Sequence, residues 1–204
     1  SDTDLERAAE RVVEGAFGFA GQRCTATRRV IVPLHAAYPL IDQLRRAASA
    51  LVCGDPLDER TVVGPLVSQA AQQRVAAAVE NEPVLWRGAE WSHPSFHPPV
   101  LVQADDPQCA IVQHETFGPV LVVQVAESCD QAIALNNAVS QGLVAALFSD
   151  SPAHRQQFLD QAQAGILKFD RATADADAAA PFGGWKGSGV GPPEHGDSNR
   201  EFYT

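Results

Sequence analysis

Hydrophobic and polar positions along the chain follow two periods, one typical of helices and the other of buried strands. Residues 3–20 place apolar side chains three and four positions apart behind Thr3-Asp4-Leu5-Glu6, which predicts a capped amphipathic helix. The same period predicts further helices over residues 40–51, 68–80, 128–139 and 151–164. Short β-branched runs predict strands at residues 28–33, 84–86, 100–103, 110–112, 120–125, 144–148 and 165–169.

The order of these elements predicts the fold class. The strands show no alternation of apolar and polar residues, and helices separate most of them. Such strands are typical of a mostly parallel sheet that helices cover on both faces, so the chain is predicted to be an α/β protein. Residues 181–189 are dense in glycine and predict a loop after the last strand.

Composition and charge narrow the classes of function. A chain of 204 residues with 45% hydrophobic residues can bury a substantial core, and its net charge of -10 argues against binding to nucleic acid. No apolar run reaches the roughly 18 residues that a membrane span needs. The cysteines and histidines lack metal-ligand spacing, which predicts no metal site. We expect reduced thiols in a cytoplasmic protein, because four widely spaced cysteines do not suggest a disulfide framework: Cys24, Cys53, Cys109 and Cys129.

Cys24 is the candidate catalytic residue. It follows Gly21-Gln22-Arg23 between a predicted helix and a predicted strand, where glycine permits a tight turn. The Arg23 guanidinium and local backbone N–H groups would favour a thiolate, the reactive form of cysteine. The alternative is a small buried hydrophobic residue, which is the usual role of a free cysteine. We favour the nucleophile for Cys24 and the buried role for the other three cysteines.

Several motifs resemble those of one enzyme family. The segment Phe-Ala-Gly-Gln-Arg-Cys-Thr-Ala at residues 19–26 resembles the active-site motif of the NAD(P)-dependent aldehyde dehydrogenases. Further motifs follow in the family's order and at similar intervals: Gly54-Asp55-Pro56, Gly64-Pro65-Leu66, Glu115-Thr116-Phe117-Gly118-Pro119, and Pro181-Phe182-Gly183-Gly184 with Lys186 and Ser188-Gly189. The resemblance extends over the whole chain and implies the fold of the family's catalytic domain.

The resemblance also implies a covalent mechanism and a cofactor. Cys24 would attack an aldehyde to give a thiohemiacetal and then a thioester, with its own backbone N–H stabilising the oxyanion. NAD or NADP would accept the hydride. Glu115 would bind the hydroxyls of the nicotinamide ribose, and Phe117 would pack near the nicotinamide ring. Taken without the motif, Glu115 would be interpreted as a solvated loop carboxylate and Phe117 as a core residue.

The remaining expectations concern the substrate and the domain organisation. Phe17, Arg23 and Phe182, together with Trp185, are candidates for the aldehyde pocket, although each aromatic residue fits a core position equally well. Residues 1–180 are expected to form the catalytic domain. Residues 181–204 are expected to form a tail that returns toward the active site and the cofactor domain. The segments 191–196 and 200–204 resemble those of the semialdehyde-oxidising branches.

The chain also departs from the family pattern. It contains no GxGxxG turn and no ELGG-type motif with the general-base glutamate. We therefore expect a catalytic half that lacks the cofactor-binding domain of the same polypeptide, is inactive alone, and forms a homo-oligomer when full length. Two alternatives stay open. One is an acylating relative that releases the thioester to coenzyme A or phosphate, and the other is a non-catalytic interaction domain with a vestigial thiol.

Overall fold

A computed structural model describes residues 4–175 and 177–202 of the chain. The helices are α1 (Leu5–Phe17), α2 (Leu34–Ser49), α3 (Gln69–Val79), α4 (Ala110–Gln113), α5 (Cys129–Asn137), α6 (Pro152–Gln161) and α7 (Asn199–Phe202). The strands are β1 (Arg29–Pro33), β2 (Val84–Arg87), β3 (Val100–Gln103), β4 (Val120–Ala126), β5 (Gln141–Gly142), β6 (Val144–Leu147), β7 (Ile166–Phe169) and β8 (Trp185–Lys186).

A four-stranded sheet in the order β1-β4-β3-β2 forms the centre of the molecule. β4 is parallel to both β1 and β3, whereas β2 lies antiparallel to β3 at the edge. The consecutive residues Leu121, Val122 and Val123 of β4 are all buried. Because neighbouring side chains of a strand point to opposite faces, both faces of β4 are covered. The predicted α/β fold with a mostly parallel, covered sheet is confirmed.

Two smaller sheets complete the fold. β6 pairs in parallel with β7, and β5 pairs antiparallel with β8. A separate small core surrounds Phe158 of α6, whose ring packs edge-on against Phe169 of β7 at a centroid distance of 5.9 Å. The β6–β7 unit therefore has its own packing and needs specific contacts to fix it against the main sheet.

The structure confirms three of the helix starts that capping serines predicted. The side chains of Ser68, Ser128 and Ser151 each accept a hydrogen bond from a backbone N–H in the first turn of α3, α5 and α6. At α1 the N-cap is Asp4, whereas the prediction began at Thr3, which lies outside the described residues.

Four local predictions are wrong. α1 ends at Phe17 rather than at residue 20, because the next residues turn to left-handed backbone angles. α2 begins at Leu34 rather than at residue 40 and includes Pro39 as an internal residue. Residues 110–112 belong to α4 instead of a strand, since Ile111 and Val112 are buried there and tertiary packing overrides β propensity. The glycine-dense loop contains the short strand β8.

Acid is expected to destabilise the fold through His97. This side chain is only 3% exposed, and its Nδ1 lies 2.7 Å from the Pro98 carbonyl oxygen. Burial lowers the pKa of His97 from its ordinary 6.5, and the contact with Pro98 opposes this only in part. Since the unfolded chain binds the proton first, the free energy of unfolding should fall as pH drops from 6.5 through the folded pKa.

Urea unfolding at pH 7.5 and 5.5 would measure this effect. The variant His97→Asn keeps a donor for the Pro98 carbonyl and cannot gain a charge, so its loss of stability between the two pH values should be smaller. His35 is exposed, so His35→Asn should lose as much stability as the unmodified chain. An equal loss in all three proteins would contradict the role of His97.

Candidate active site

Cys24 lies in an unusual turn, here called the Cys24 turn (residues 19–24). Phe19, Ala20 and Gly21 have φ angles of 55°, 54° and 68°, so three successive residues adopt left-handed backbone. The Gln22 N–H closes this turn by donating to the Phe19 carbonyl oxygen at 3.1 Å. Left-handed angles cost roughly 1–2 kcal/mol for each residue that carries a Cβ, so surrounding contacts must hold them. The turn leaves Cys24 exposed, as a nucleophile requires.

The Cys24 turn contacts the Glu115 loop (residues 114–119). A Cβ atom placed on Gly21 would lie only 2.2 Å from the Gly118 carbonyl oxygen, so the two backbones touch. On its other side Gly118 packs on Val75 of α3, where an added Cβ would approach a methyl carbon to 2.5 Å. Two motifs that are distant in the sequence are therefore in direct contact, and glycine is required at both positions.

Gln22 joins a third motif to the same turn. Its Oε1 accepts a hydrogen bond of 2.8 Å from the Val67 backbone N–H, and its Nε2 donates to the Pro65 carbonyl oxygen at 3.5 Å. These two contacts place the Gly64-Pro65-Leu66 segment beside the Cys24 turn. The structure therefore brings together three of the five motifs that the sequence indicated: residues 19–26, 64–66 and 115–119.

Arg28 is a site residue that the sequence reasoning missed. Its Nη2 donates to the carbonyl oxygens of His114 at 2.7 Å and Val112 at 3.3 Å, at the start of the Glu115 loop. Burial lowers the pKa of Arg28, and the nearby Glu115 carboxylate opposes this shift. In the loop itself Glu115 is exposed, while Phe117 is 43% exposed and has a φ angle of 49°.

Arg29 is a second residue that the sequence analysis did not single out, and it connects β1 with β4 and α5. Its guanidinium donates to Gln124 Oε1 on β4 at 3.0 Å and to the carbonyl oxygens of Leu135 and Asn136 on α5 at 3.0 and 3.1 Å. Burial, with a smaller contribution from the charge of Arg28, lowers the pKa of Arg29 to about 10. The available sequence signal for both residues was a pair of arginines at the start of an otherwise apolar strand.

A pair of threonine hydroxyls holds the chain just after Cys24, at Thr27. Thr27 Oγ1 lies 2.7 Å from Thr173 Oγ1 in the loop after β7, and the Thr27 N–H donates to the Gly15 carbonyl oxygen of α1 at 3.0 Å. The Lys168 ammonium holds the same loop by donating to the carbonyl oxygens of Ala172, Thr173 and Asp175. The β6–β7 unit is thereby joined to the main sheet close to Cys24.

The predicted pocket residues occupy different environments. Phe17 is fully buried and packs against Trp86 at a ring-centroid distance of 6.4 Å, so the structure favours its core alternative over a pocket wall. The Arg23 guanidinium lies 3.8 Å above the exposed ring of Phe19. Phe182 is half-buried and pairs its backbone with Glu194.

The last motif, residues 181–189, packs against the small sheets. A Cβ on Gly165 would meet the Gly183 carbonyl oxygen at 1.9 Å, and the Ser188 hydroxyl accepts a hydrogen bond from the Gly142 N–H at 3.0 Å. Trp185 lies in β8 and is 54% exposed. The motif region thus lies against β5 and the start of β7.

Metal and membrane features are not found in the part of the chain that the structure describes. In residues 4–175 and 177–202 no cluster of three or more His, Cys, Asp and Glu side chains could hold a metal ion. Over the same residues, no helix combines the length and apolar character needed to cross a bilayer. All four cysteines are free thiols.

Comparison with known proteins identifies the family. The family described as "Aldehyde dehydrogenase family" matches residues 1–204, so the chain belongs to the aldehyde dehydrogenase family. An alpha-ketoglutaric semialdehyde dehydrogenase of Bacillus subtilis (strain 168) is 30% identical over 214 residues, covering 100% of this chain and 44% of the relative. An N-succinylglutamate 5-semialdehyde dehydrogenase 1 of Caulobacter vibrioides is 36% identical over 194 residues, covering 91% and 41% respectively.

A solved structure agrees with this relationship. The NAD-dependent aldehyde dehydrogenase of Sinorhizobium meliloti superposes with a TM-score of 0.93 at 28% identity, covering 100% of this chain and 41% of that one. The chain therefore spans less than half the length of each of these three proteins.

Proposed function

We propose that this chain is the catalytic part of an enzyme that oxidises an aldehyde to a carboxylate with NAD or NADP. The observation that carries the proposal is the contact between Gly21 and Gly118. It places the turn with the exposed Cys24 against the loop that carries the exposed side chains of Glu115 and Phe117. Membership of the aldehyde dehydrogenase family supports the reaction class.

The proposed chemistry begins at the Cys24 sulfur. The thiolate attacks the aldehyde carbon, the C=O π electrons move to oxygen, and the Cys24 backbone N–H stabilises the resulting oxyanion. The cofactor, when bound, supplies the acceptor for the hydride that leaves this carbon. Cys24 then carries a thioester, which water hydrolyses to release the acid and restore the thiol. Cys24 thus separates oxidation from hydrolysis.

Glu115 and Phe117 are the residues proposed to hold the cofactor. A carboxylate can accept hydrogen bonds from two ribose hydroxyls, and an aromatic ring offers a flat apolar wall for the nicotinamide. The exposure of both side chains fits this role, because each must be reachable by a bound molecule. The left-handed backbone of Phe117 supports it further, since strained residues concentrate at functional sites.

The substrate is proposed to be an aldehyde that carries a carboxylate. Both named relatives are semialdehyde dehydrogenases. Arg23 is next to Cys24 in the chain and offers a planar guanidinium, which matches carboxylate geometry. We propose that residues 181–204, including Phe182, complete the aldehyde pocket as a tail beside a catalytic domain of residues 1–180.

The other partners also belong to the proposal. We infer that a cofactor-binding domain of the same polypeptide supplies the deacylating base and most of the dinucleotide site. The complete enzyme is inferred to be a cytoplasmic homo-oligomer, and the free thiols are consistent with a reducing compartment.

Two measurements on the 204-residue chain test this proposal. Timed alkylation with iodoacetamide should modify Cys24 well before Cys53 and Cys129, because Cys24 is exposed and burial raises the pKa of the other two thiols. The chain alone should produce no NADH from an aldehyde, whereas the complete polypeptide should. Equally slow labelling of all cysteines would instead favour the interaction domain.

The acylating alternative has its own test. Product release by the complete enzyme is measured with and without coenzyme A or phosphate. Hydrolysis predicts the same rate of NADH formation in all conditions and a free acid as product. A requirement for either acceptor would show that the thioester is transferred rather than hydrolysed.

A further inference from the structure

We propose that Arg28 is a positioning residue that fixes the distance between the Cys24 turn and the cofactor-binding side chains of the Glu115 loop. The inference rests on the proposed function, in which Glu115 and Phe117 contact the cofactor. Its evidence is separate, because it comes from the contacts of Arg28 and Gly21 with the two ends of that loop.

The segment that carries Cys24 contacts both ends of the Glu115 loop. At one end, Arg28 donates to the His114 carbonyl oxygen at 2.7 Å. At the other end, Gly21 touches the Gly118 carbonyl. Cys24 lies between Gly21 and Arg28 in the sequence, while Glu115 and Phe117 lie between the two contact points of the loop. A displacement of either segment therefore requires that one of these contacts break.

The loop needs external contacts because its own backbone is strained. Phe117 has a φ angle of 49°, and its side chain is 43% exposed, so packing covers only part of this side chain. Gln141 donates to the Gln113 carbonyl oxygen at 3.1 Å, which fixes the end of α4 but not the loop beyond it. Arg28 is thus the side chain that anchors the entry to the loop.

Arginine suits this position for two reasons. One Nη2 group serves two carbonyl oxygens, that of Val112 in α4 and that of His114 at the start of the Glu115 loop. The guanidinium charge also attracts the nearby Glu115 carboxylate; burial still lowers the pKa of Arg28, and this attraction opposes that lowering only in part. Loss of the side chain removes a donor from the backbone and a charge partner from Glu115. A lysine can restore the charge but not the planar fork of donors.

The test compares Arg28→Met and Arg28→Lys with Arg45→Met in the complete enzyme. Arg45 is a matched control, since its Nε and Nη2 also donate to a backbone carbonyl, that of Leu85 on β2. Fluorescence titration should show NADH dissociation constants about tenfold higher for Arg28→Met and intermediate for Arg28→Lys. Arg45→Met should bind NADH as the unmodified enzyme does, and kcat at saturating cofactor should change less than KM for NAD.

Amide hydrogen exchange gives a second readout in the 204-residue chain. Exchange in residues 113–119 should accelerate with Arg28→Met and not with Arg45→Met. If Arg28→Met folds poorly, Arg28→Lys provides the comparison. Unchanged exchange in this segment together with unchanged NADH binding would overturn the inference.

Glu115→Gln distinguishes this inference from the proposed function. If Glu115→Gln leaves NADH binding unchanged, the cofactor role of Glu115 fails, while exchange in residues 113–119 still decides whether Arg28 anchors the loop. If Glu115→Gln weakens binding and Arg28→Met does not, only the positioning role fails. Should Arg28 act through Glu115, the Arg28→Met effect will be smaller in the Glu115→Gln background than in the unmodified enzyme.

Discussion

Replacing Cys24 with serine is expected to lower the rate of aldehyde oxidation in the complete enzyme by roughly a thousandfold or more. A serine hydroxyl stays protonated near neutral pH and cannot form the thioester through which the acid is released. The side chain is exposed, so its replacement should leave the free energy of unfolding within about 0.5 kcal/mol of the original. Steady-state rates and urea unfolding of the same preparation measure both quantities.

Cys129→Ser is the matched control for this substitution. Cys129 is half-buried, and burial together with the charge of Asp130 raises the pKa of its thiol, so little thiolate exists there at neutral pH. The control should keep its rate of oxidation. Retention of activity within about tenfold by Cys24→Ser would remove Cys24 from the mechanism. If Cys129→Ser lost activity and Cys24→Ser kept it, Cys129 rather than Cys24 would be the catalytic thiol.

Local signals made much of the fold predictable. The serines that cap α3, α5 and α6 act on N–H groups only three residues away, so their effect is visible in the sequence. The apolar run of β4 predicted a strand covered on both faces, and the burial of that strand agrees. Each of these features depends on a short stretch of chain, which is why sequence patterns describe them well.

Contacts between distant segments could not be predicted in the same way. The left-handed angles of Phe19 and Ala20 oppose the preference of both residues, so their sequence indicated a continuing helix. The proposed role of Arg28 depends on the carbonyl oxygens of Val112 in α4 and of His114 just after it, and the β-branched pattern had indicated this helix as a strand. The motif order indicated candidate segments, but not which atoms hold them together.

Cys24 is consequently positioned by backbone contacts and by residues that have no role in the proposed reaction steps. Four residues near Cys24 each contact a different segment. Gly21 touches the Glu115 loop, and Gln22 binds residues 65–67. Thr27 contacts the loop after β7, and Arg28 donates to the end of α4. In the proposed mechanism the rate of attack by Cys24 should fall when these supports shift, because a displacement of about 1 Å can cost about a hundredfold. The residue with the least room to change among these supports is Gly21.

Gly21→Ala is therefore expected to damage both stability and reactivity. The new Cβ would lie 2.2 Å from the Gly118 carbonyl oxygen, and the φ angle of 68° disfavours any residue with a side chain. Strain and overpacking together should lower the free energy of unfolding by roughly 2–5 kcal/mol. Displacement of Cys24 should slow its alkylation and lower the rate of oxidation on the order of a hundredfold.

Gly18→Ala provides the control one residue before the Cys24 turn. Apart from its neighbours in the chain, no atom lies within 4 Å of an added Cβ at Gly18, and its φ angle of -55° suits alanine. This substitution should leave the free energy of unfolding unchanged or raise it by up to about 1 kcal/mol, because alanine reduces the freedom of the unfolded chain. Urea unfolding and iodoacetamide labelling of both variants make the comparison. Equal behaviour of the two alanine variants would mean that the contact between Gly21 and Gly118 does not position Cys24.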